Sequence, residues 1–193
     1  MISNQDRSGY IGASDTKYVV SRWNTKTFDK WWLKKLGLDT SSFSNKYTLA
    51  GNNFEHKIVD SLGIEGIIKD KQIIKGRIRV NLDANTDECI YEIKTYVYEN
   101  GFDIKKHQDY INQVLVQMYI SKIHKANIVA YGLLDSDYNN YFNDIDKERL
   151  SIYPITYDED KLKKIIPRLN YLEQCLIKGT FPNENEIKEG IEW

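Results

Sequence analysis

Asp83, Glu92 and Lys94 are the residues whose types and spacing point most directly to chemistry. Asn81-Leu82-Asp83 and Tyr91-Glu92-Ile93-Lys94 flank a short polar segment containing Asn85-Thr86-Asp87. Strand side chains alternate with period two, so Glu92 and Lys94 share one face and Ile93 takes the other. If the two segments pair as an antiparallel hairpin, Asp83 returns beside them. Two carboxylates and an ammonium then converge on one face of an otherwise apolar strand pair. A hard cation such as Mg²⁺ takes oxygen ligands, usually one or two carboxylates completed by water and substrate phosphate, and this set offers them. The lysine can orient or deprotonate a metal-bound water. The plain alternative is a surface ion pair of small energetic value, for an Asp followed by Glu-x-Lys arises by accident where 28% of residues are charged. Glu55 adds to the first reading. It lies in Gly51-Asn-Asn-Phe-Glu55, and glycine inside a helix costs about 1 kcal/mol against alanine, which suggests a close approach to the backbone there. Alternatively Gly51 merely starts the helix late and Glu55 is solvated.

The elements that must position these groups are legible from periodicity. Ser14-Asp15 reads as an N-cap for a short helix to about Arg22, and Thr25 opens a second carrying Phe28, Trp31, Trp32 and Leu36 toward Gly37. Ser44 precedes a stronger helix in which Phe54, Ile58 and Leu62 recur every four residues, with Gly63 as its stop and Glu55 on the polar shoulder. Strands are predicted over 64–68, 73–83 and 89–96. A helix follows over about 106–123, then an apolar strand over 127–134, a further strand over 150–155, and a last helix capped by Asp158. This order predicts an α/β fold, a central mixed sheet flanked by helices, within one domain spanning 1–193.

Composition narrows the function classes. The chain has 193 residues, 41% of them apolar, and a net charge of -1 from 27 basic and 28 acidic residues. That balance denies it a global basic field while leaving room for a local basic groove. Cys89 and Cys175 stand far apart with no Cys/His cluster, which argues against a disulfide framework or zinc site. The apolar runs are too short for a membrane span, and the N-terminal residues do not resemble a secretory leader, so a cytoplasmic location is expected. His107 and His124 read as surface residues. The Trp31-Trp32 pair reads as core packing, with a DNA channel or subunit contact as the functional alternative.

Four blocks in order resemble the lambda exonuclease and YqaJ-type viral recombinase nucleases, within the restriction-endonuclease-like PD-(D/E)XK fold. Arg7-Ser-Gly-Tyr-Ile-Gly-Ala-Ser14 resembles the family's opening Arg-x-Gly-x-Ile-(Thr/Gly)-(Ala/Gly)-Ser. Gly51-Asn-Asn-Phe-Glu55 resembles its Gly-x-x-x-Glu helix, and Asp83 with Glu92-Ile-Lys94 its catalytic hairpin. Tyr110-Ile-Asn-Gln113-Val-Leu-Val-Gln117-Met resembles its Tyr-x-x-Gln-x-x-x-Gln-Met helix. The chain departs where the family often has Pro-Asp-Gly, here Leu82-Asp83-Ala84, and where a phosphate-contacting serine often stands, here Asn81.

The resemblance implies Glu55, Asp83 and Glu92 as metal-site carboxylates, with the Ile93 carbonyl as a further ligand. It implies Lys94 serving the attacking water and Gln113 positioning that water or the carboxylates. Arg7 and Ser14, with Asn81 in the serine's place, would hold DNA phosphate. The expected function is an Mg²⁺-dependent deoxyribonuclease of phage or prophage type, with Mn²⁺ able to substitute, resecting duplex ends 5′-to-3′ for recombination. A ring-shaped trimer and a single-strand annealing partner are implied by the resemblance alone. The rivals are a same-fold endonuclease, restriction-like or of the CRISPR-adaptation kind, and a non-catalytic DNA-binding or inhibitor module. Preference for linear over closed DNA discriminates the first rival, and Mg²⁺ binding the second.

Overall fold

A computed structural model describes residues 8–39 and 45–187. Helices pack around one mixed sheet. Strand β1 (Ile11–Gly12) leads through a 3₁₀ turn, Ala13–Asp15, into the one-turn helix α1 (Thr16–Val19), and α2 (Lys26–Lys35) and α3 (Lys46–Ser61) follow. Strands β2 (Ile68–Lys75), β3 (Ile78–Asn85) and β4 (Cys89–Val97) come next. Helix α4 (Gln108–Ser121), strands β5 (Lys125–Leu133) and β6 (Leu150–Thr156), and helix α5 (Glu159–Lys178) complete the order. The sheet runs β1-β3-β4-β5-β6, with β2 on the other edge of β3. The β1–β3 and β4–β5 pairs are parallel and the rest antiparallel.

Helix starts follow local chemistry. The Thr25 side chain accepts from the Phe28 amide at 3.2 Å, and Asp158 accepts from the Lys161 amide at 2.9 Å, each satisfying a first-turn donor with no intrahelical partner. Asn45 does this for α3, accepting from the Thr48 amide at 2.9 Å; the expected starter Ser44 lies outside the described residues. The first helix is shorter than its sequence suggests, ending at Val19 rather than near Arg22. The reason is tertiary: the Val19 carbonyl accepts from Trp23 Nε1 at 3.2 Å and from Arg168 Nε at 2.6 Å.

The β-rich block is divided differently from the predicted pattern. Residues 64–67 form a turn and an approach, and the expected strand 73–83 is cut in two by a hairpin turn at Gly76 and Arg77. Gly76 has φ +59, a conformation that costs L side chains and suits glycine. The Arg77 amide donates to the buried Glu173 of α5 at 2.6 Å, which clamps the turn. Isoleucines on both limbs, Ile73 and Ile74 before the turn and Ile78 after it, hide the break from a periodicity reading.

Apolar side chains pack on both faces of the sheet. One core joins α1, α2, α4 and α5 to Ile78, Val80, Leu82, Ile90 and Ile128. The other packs α3, through Ala50, Phe54, Ile58 and Val59, on Ala84, Ile93, Val129 and Tyr131. Trp31 and Trp32 are both buried because their neighbours arrive from elsewhere in the chain. Tyr18 stacks on Trp31 at 4.8 Å, and Trp32 Nε1 reaches the Thr180 carbonyl at 3.0 Å.

Candidate active site

Strand β3 is the origin of the site's geometry. On one edge it pairs with β2 at every position but Asp83, which stands opposite Asp70, a residue at φ +56. On the other edge β1 pairs only at Ile78 and Arg79, and β4 only at Ala84 and Asn85. Residues 80–83 therefore face a gap where β3 and β4 diverge. Leu82 and Ala84, which strict alternation would place on one face, belong to opposite cores, so the strand's alternation breaks at Asp83. Asp83 Oδ2 reaches across the gap and accepts from the Ile93 amide at 2.8 Å, a side chain standing in for a ladder hydrogen bond. The expectation that Asp83, Glu92 and Lys94 share one face of a continuous hairpin is corrected to this extent: they meet at the fork of two splayed strands.

Helix α4 fills the fork from one side. Glu92 is 2% exposed, and both its oxygens are occupied. Oε1 accepts from Gln113 Nε2 at 2.5 Å and from Lys94 Nζ at 2.7 Å, while Oε2 accepts from Gln117 Nε2 at 2.5 Å. Lys94 also donates to Gln113 Oε1 at 3.2 Å and lies 4.7 Å from the Tyr110 ring centroid, so its half-buried charge is held by paired and cation–π contacts. Gln117 Nε2 gives a second bond, at 3.2 Å, to the Asn81 carbonyl in the β3 gap. Neither glutamine faces water. Gln117 is a site residue that the spacing of Gln113 signals, for residues four apart lie on one helix face, and only the resemblance motif singled it out.

Helix α3 closes the fork from the other side. An added Cβ at Gly51 would stand 3.0 Å from Thr95 Oγ1 of β4. A larger residue there would make the Thr95 side chain give by a few tenths of an ångström, and Glu55, one turn on, lies near enough for its charge to act on Asp83. Glu55 also meets His56 and Asp70, with His56 Nε2 and Asp70 Oδ2 2.8 Å apart.

Electrostatics bind the carboxylates into one group. Burial pushes the Asp83 carboxyl well above the ordinary carboxylate range, and the charges of Glu92 and Glu55 push it further. Glu55 is raised for the same reasons, burial first and then the charges of Glu92 and Asp70. Burial opposes the Lys94 ammonium, but Glu92 and Asp83 overcome it and hold its pKa above the usual lysine value.

Hydrogen bonds thus bring Asp83, Glu92, Ile93, Lys94 and Gln113 together, while Glu55 acts on Asp83 through its charge and has its ligand atoms nearest those of His56 and Asp70. Ser14 is exposed on the 3₁₀ turn that lies against α4, and no hydrogen bond among the described residues joins it to the carboxylates. The Asn81 side chain turns to the opposite edge, accepting from Gln72 Nε2 at 3.1 Å. Arg7 lies outside the described residues. His107 is half-buried, stacked 4.8 Å from both Phe102 and Tyr110, and His124 stacks on Tyr157 at 4.3 Å.

By sequence the chain matches no family model and no curated protein. By structure it is similar to an alkaline exonuclease, LHK-Exo, from Laribacter hongkongensis, at TM-score 0.69 and 16% identity over 90% of each chain. The same protein in complex with dAMP matches at TM-score 0.69 and 17% identity. A phage-related exonuclease from Haemophilus somnus 129PT matches at TM-score 0.59 and 15% identity, over 89% of this chain and 96% of that one. The chain has the fold of these exonucleases. Among the described residues no helix is long and apolar enough to cross a membrane.

Proposed function

We propose that this protein is a divalent-metal-dependent deoxyribonuclease of the lambda exonuclease and YqaJ-type group, acting 5′-to-3′ on duplex DNA ends. The observation that carries the reading is the fork: Asp83 and Glu92 on diverging strands, Lys94 and two glutamines on Glu92, and Glu55 near enough for its charge to raise Asp83. The exonuclease fold supports it, and so does the neighbour's complex with dAMP, a deoxynucleotide.

The donor set fits Mg²⁺. Asp83 and Glu55 are both raised by burial and by the charge of Glu92, beside a single ammonium, so the ionised group has charge to spare for one divalent cation, and its oxygens are hard donors. Asp83, Glu55 and Glu92, with the Ile93 carbonyl, would hold the ion, and Mn²⁺ suits the same donors. When bound, the metal supplies Lewis-acid polarisation of the scissile phosphate and a lowered pKa for its water.

This chain's own residues do the rest. Gln113 and Gln117 fix the Glu92 carboxylate, so its orientation needs no rearrangement during reaction. Lys94, held as an ammonium, orients the attacking water by donation and offsets charge developing on the phosphate. Arg7 and Ser14 would grip the terminal phosphate, the arginine through a two-pronged contact. A ring-shaped trimer, a single-strand annealing partner and a cytoplasmic setting belong to the same proposal.

The test is digestion of end-labelled linear duplex beside a closed circle in Mg²⁺. Loss of the linear DNA alone is expected, faster from 5′-phosphate than from 5′-hydroxyl ends. Cleavage of the circle at the same rate would replace the exonuclease reading with an endonuclease, and cleavage of neither would remove the nuclease reading.

A further inference from the structure

We propose that the groove between α1 and α2 binds the sugar-phosphate backbone of one DNA strand, with Lys26 and Lys30 as its phosphate contacts. This surface is separate from the carboxylate fork, and its choice of ligand rests on the nuclease reading. The groove has a volume of about 430 Å³ and is lined by Tyr18, Lys26, Thr27, Lys30, Trp31 and Lys34, with no carboxylate among them.

Sequence and fold together make it basic. Lys26, Lys30 and Lys34 recur every four residues, so they stand in one row along α2, about 6 Å of helix rise apart. Like charges at this spacing repel. Helix α2 carries one acid, Asp29, and among the described residues no ion pair reaches Lys26 or Lys30. The nearby Asp15 is turned inward, where it pairs with the buried Lys35 at 2.6 Å and accepts from Trp31 Nε1 at 3.0 Å and the Gly12 amide at 2.7 Å. The protein as a whole is slightly acidic, so this row is a local field and not part of a general one.

The shape selects a backbone over a base. Tyr18 and Trp31 form the wall stacked on each other, with an interplanar angle of 13°, and Trp31 is 6% exposed. Trp31 is buried and covers one face of Tyr18, which leaves little platform for a base, whereas lysines and the Thr27 hydroxyl suit phosphate and sugar oxygens. Helix α1 lies against α4, which carries Gln113 and Gln117, so the groove is on the same side of the sheet as the glutamines of the fork.

The experiment measures binding of fluorescent duplex DNA in EDTA, where cleavage is blocked, at a series of salt concentrations. Wild type is compared with Lys26→Gln/Lys30→Gln and with Lys26→Arg/Lys30→Arg, each checked for folding by circular dichroism. Each lost phosphate contact lowers the slope of log K against log salt by about 0.9, so the glutamine pair should lower it by about 1.8 while the arginine pair keeps it. An unchanged slope in the glutamine variant overturns the inference. So does binding of an acidic peptide that depends on these lysines when DNA binding does not, for the groove would then serve a protein partner. Digestion of linear duplex by wild type in Mg²⁺ judges the nuclease reading separately.

Discussion

Replacing Gln117 by leucine should destabilise the protein by about 2–3 kcal/mol, and by much less once Glu92 is neutral. Gln117 is fully buried, and its Nε2 serves two acceptors, Glu92 Oε2 at 2.5 Å and the Asn81 carbonyl at 3.2 Å. A hydrogen bond to a charged group contributes about 1.5–3 kcal/mol and a neutral one about 0.5–1.5 kcal/mol. Against these stands Gln117 Oε1, which is buried without a protein partner, so leucine recovers part of the loss. Urea denaturation in metal-free buffer reads the result. With a slope of about 2 kcal/mol per molar, the midpoint should fall by about 1–1.5 M. In a Glu92→Gln background the charged bond is absent, and the same substitution should cost only about 1 kcal/mol, a coupling of about 1.5 kcal/mol. Equal costs in the two backgrounds, or a cost below about 0.5 kcal/mol in both, would refute the claim that Gln117 holds the Glu92 carboxylate.

Asp83→Asn should abolish cleavage yet stabilise the metal-free protein at pH 8. Burial and the Glu92 and Glu55 charges raise the Asp83 carboxyl, so the folded state holds its proton above 3.8 and loses stability as pH rises through the raised value. The difference between variant and wild type in urea should therefore grow with pH and then level off, and a pH-independent difference would contradict this. Asp137→Asn should cost about 3 kcal/mol at neutral pH, because Asp137 is 1% exposed and pairs with Arg149 at 2.6 Å. Burial raises that carboxyl, but Asn143 and Arg149 outweigh it and hold it below the ordinary 3.8. Its contribution is present above that value and lost as pH falls through the folded one, so the two proteins should converge in acid melts.

The expectation of an α/β fold with a central mixed sheet, and most of its elements, follow from the sequence because each rests on local physics. The helix α5 pattern from Asp158 to Leu176 and the apolar strand predicted over 127–134, observed as Lys125–Leu133, state their own period and burial. Asp83, Glu92 and Lys94 were visible as chemistry because strand alternation and a short turn constrain neighbours in sequence. The hairpin turn at Gly76 was not, since isoleucines on either side continue the alternation and only the Glu173 contact from α5 shows that a turn is wanted there.

What tertiary structure decided is how the groups meet. Whether Gln113 and Gln117 face water or a carboxylate depends on where α4 lies, and that is set by packing of Val114, Leu115 and Met118 on the sheet. The break in alternation at Asp83 falls where β1 and β4 leave the middle of their shared edge of β3 unpaired and where the β2 ladder skips a pair opposite Asp70, an arrangement of long-range strand pairing that no local window contains. Gly51 of α3 comes so close to β4 that an added Cβ would stand 3.0 Å from Thr95 Oγ1. A glycine in sequence announces a close approach, but the identity of what approaches belongs to a strand more than forty residues away.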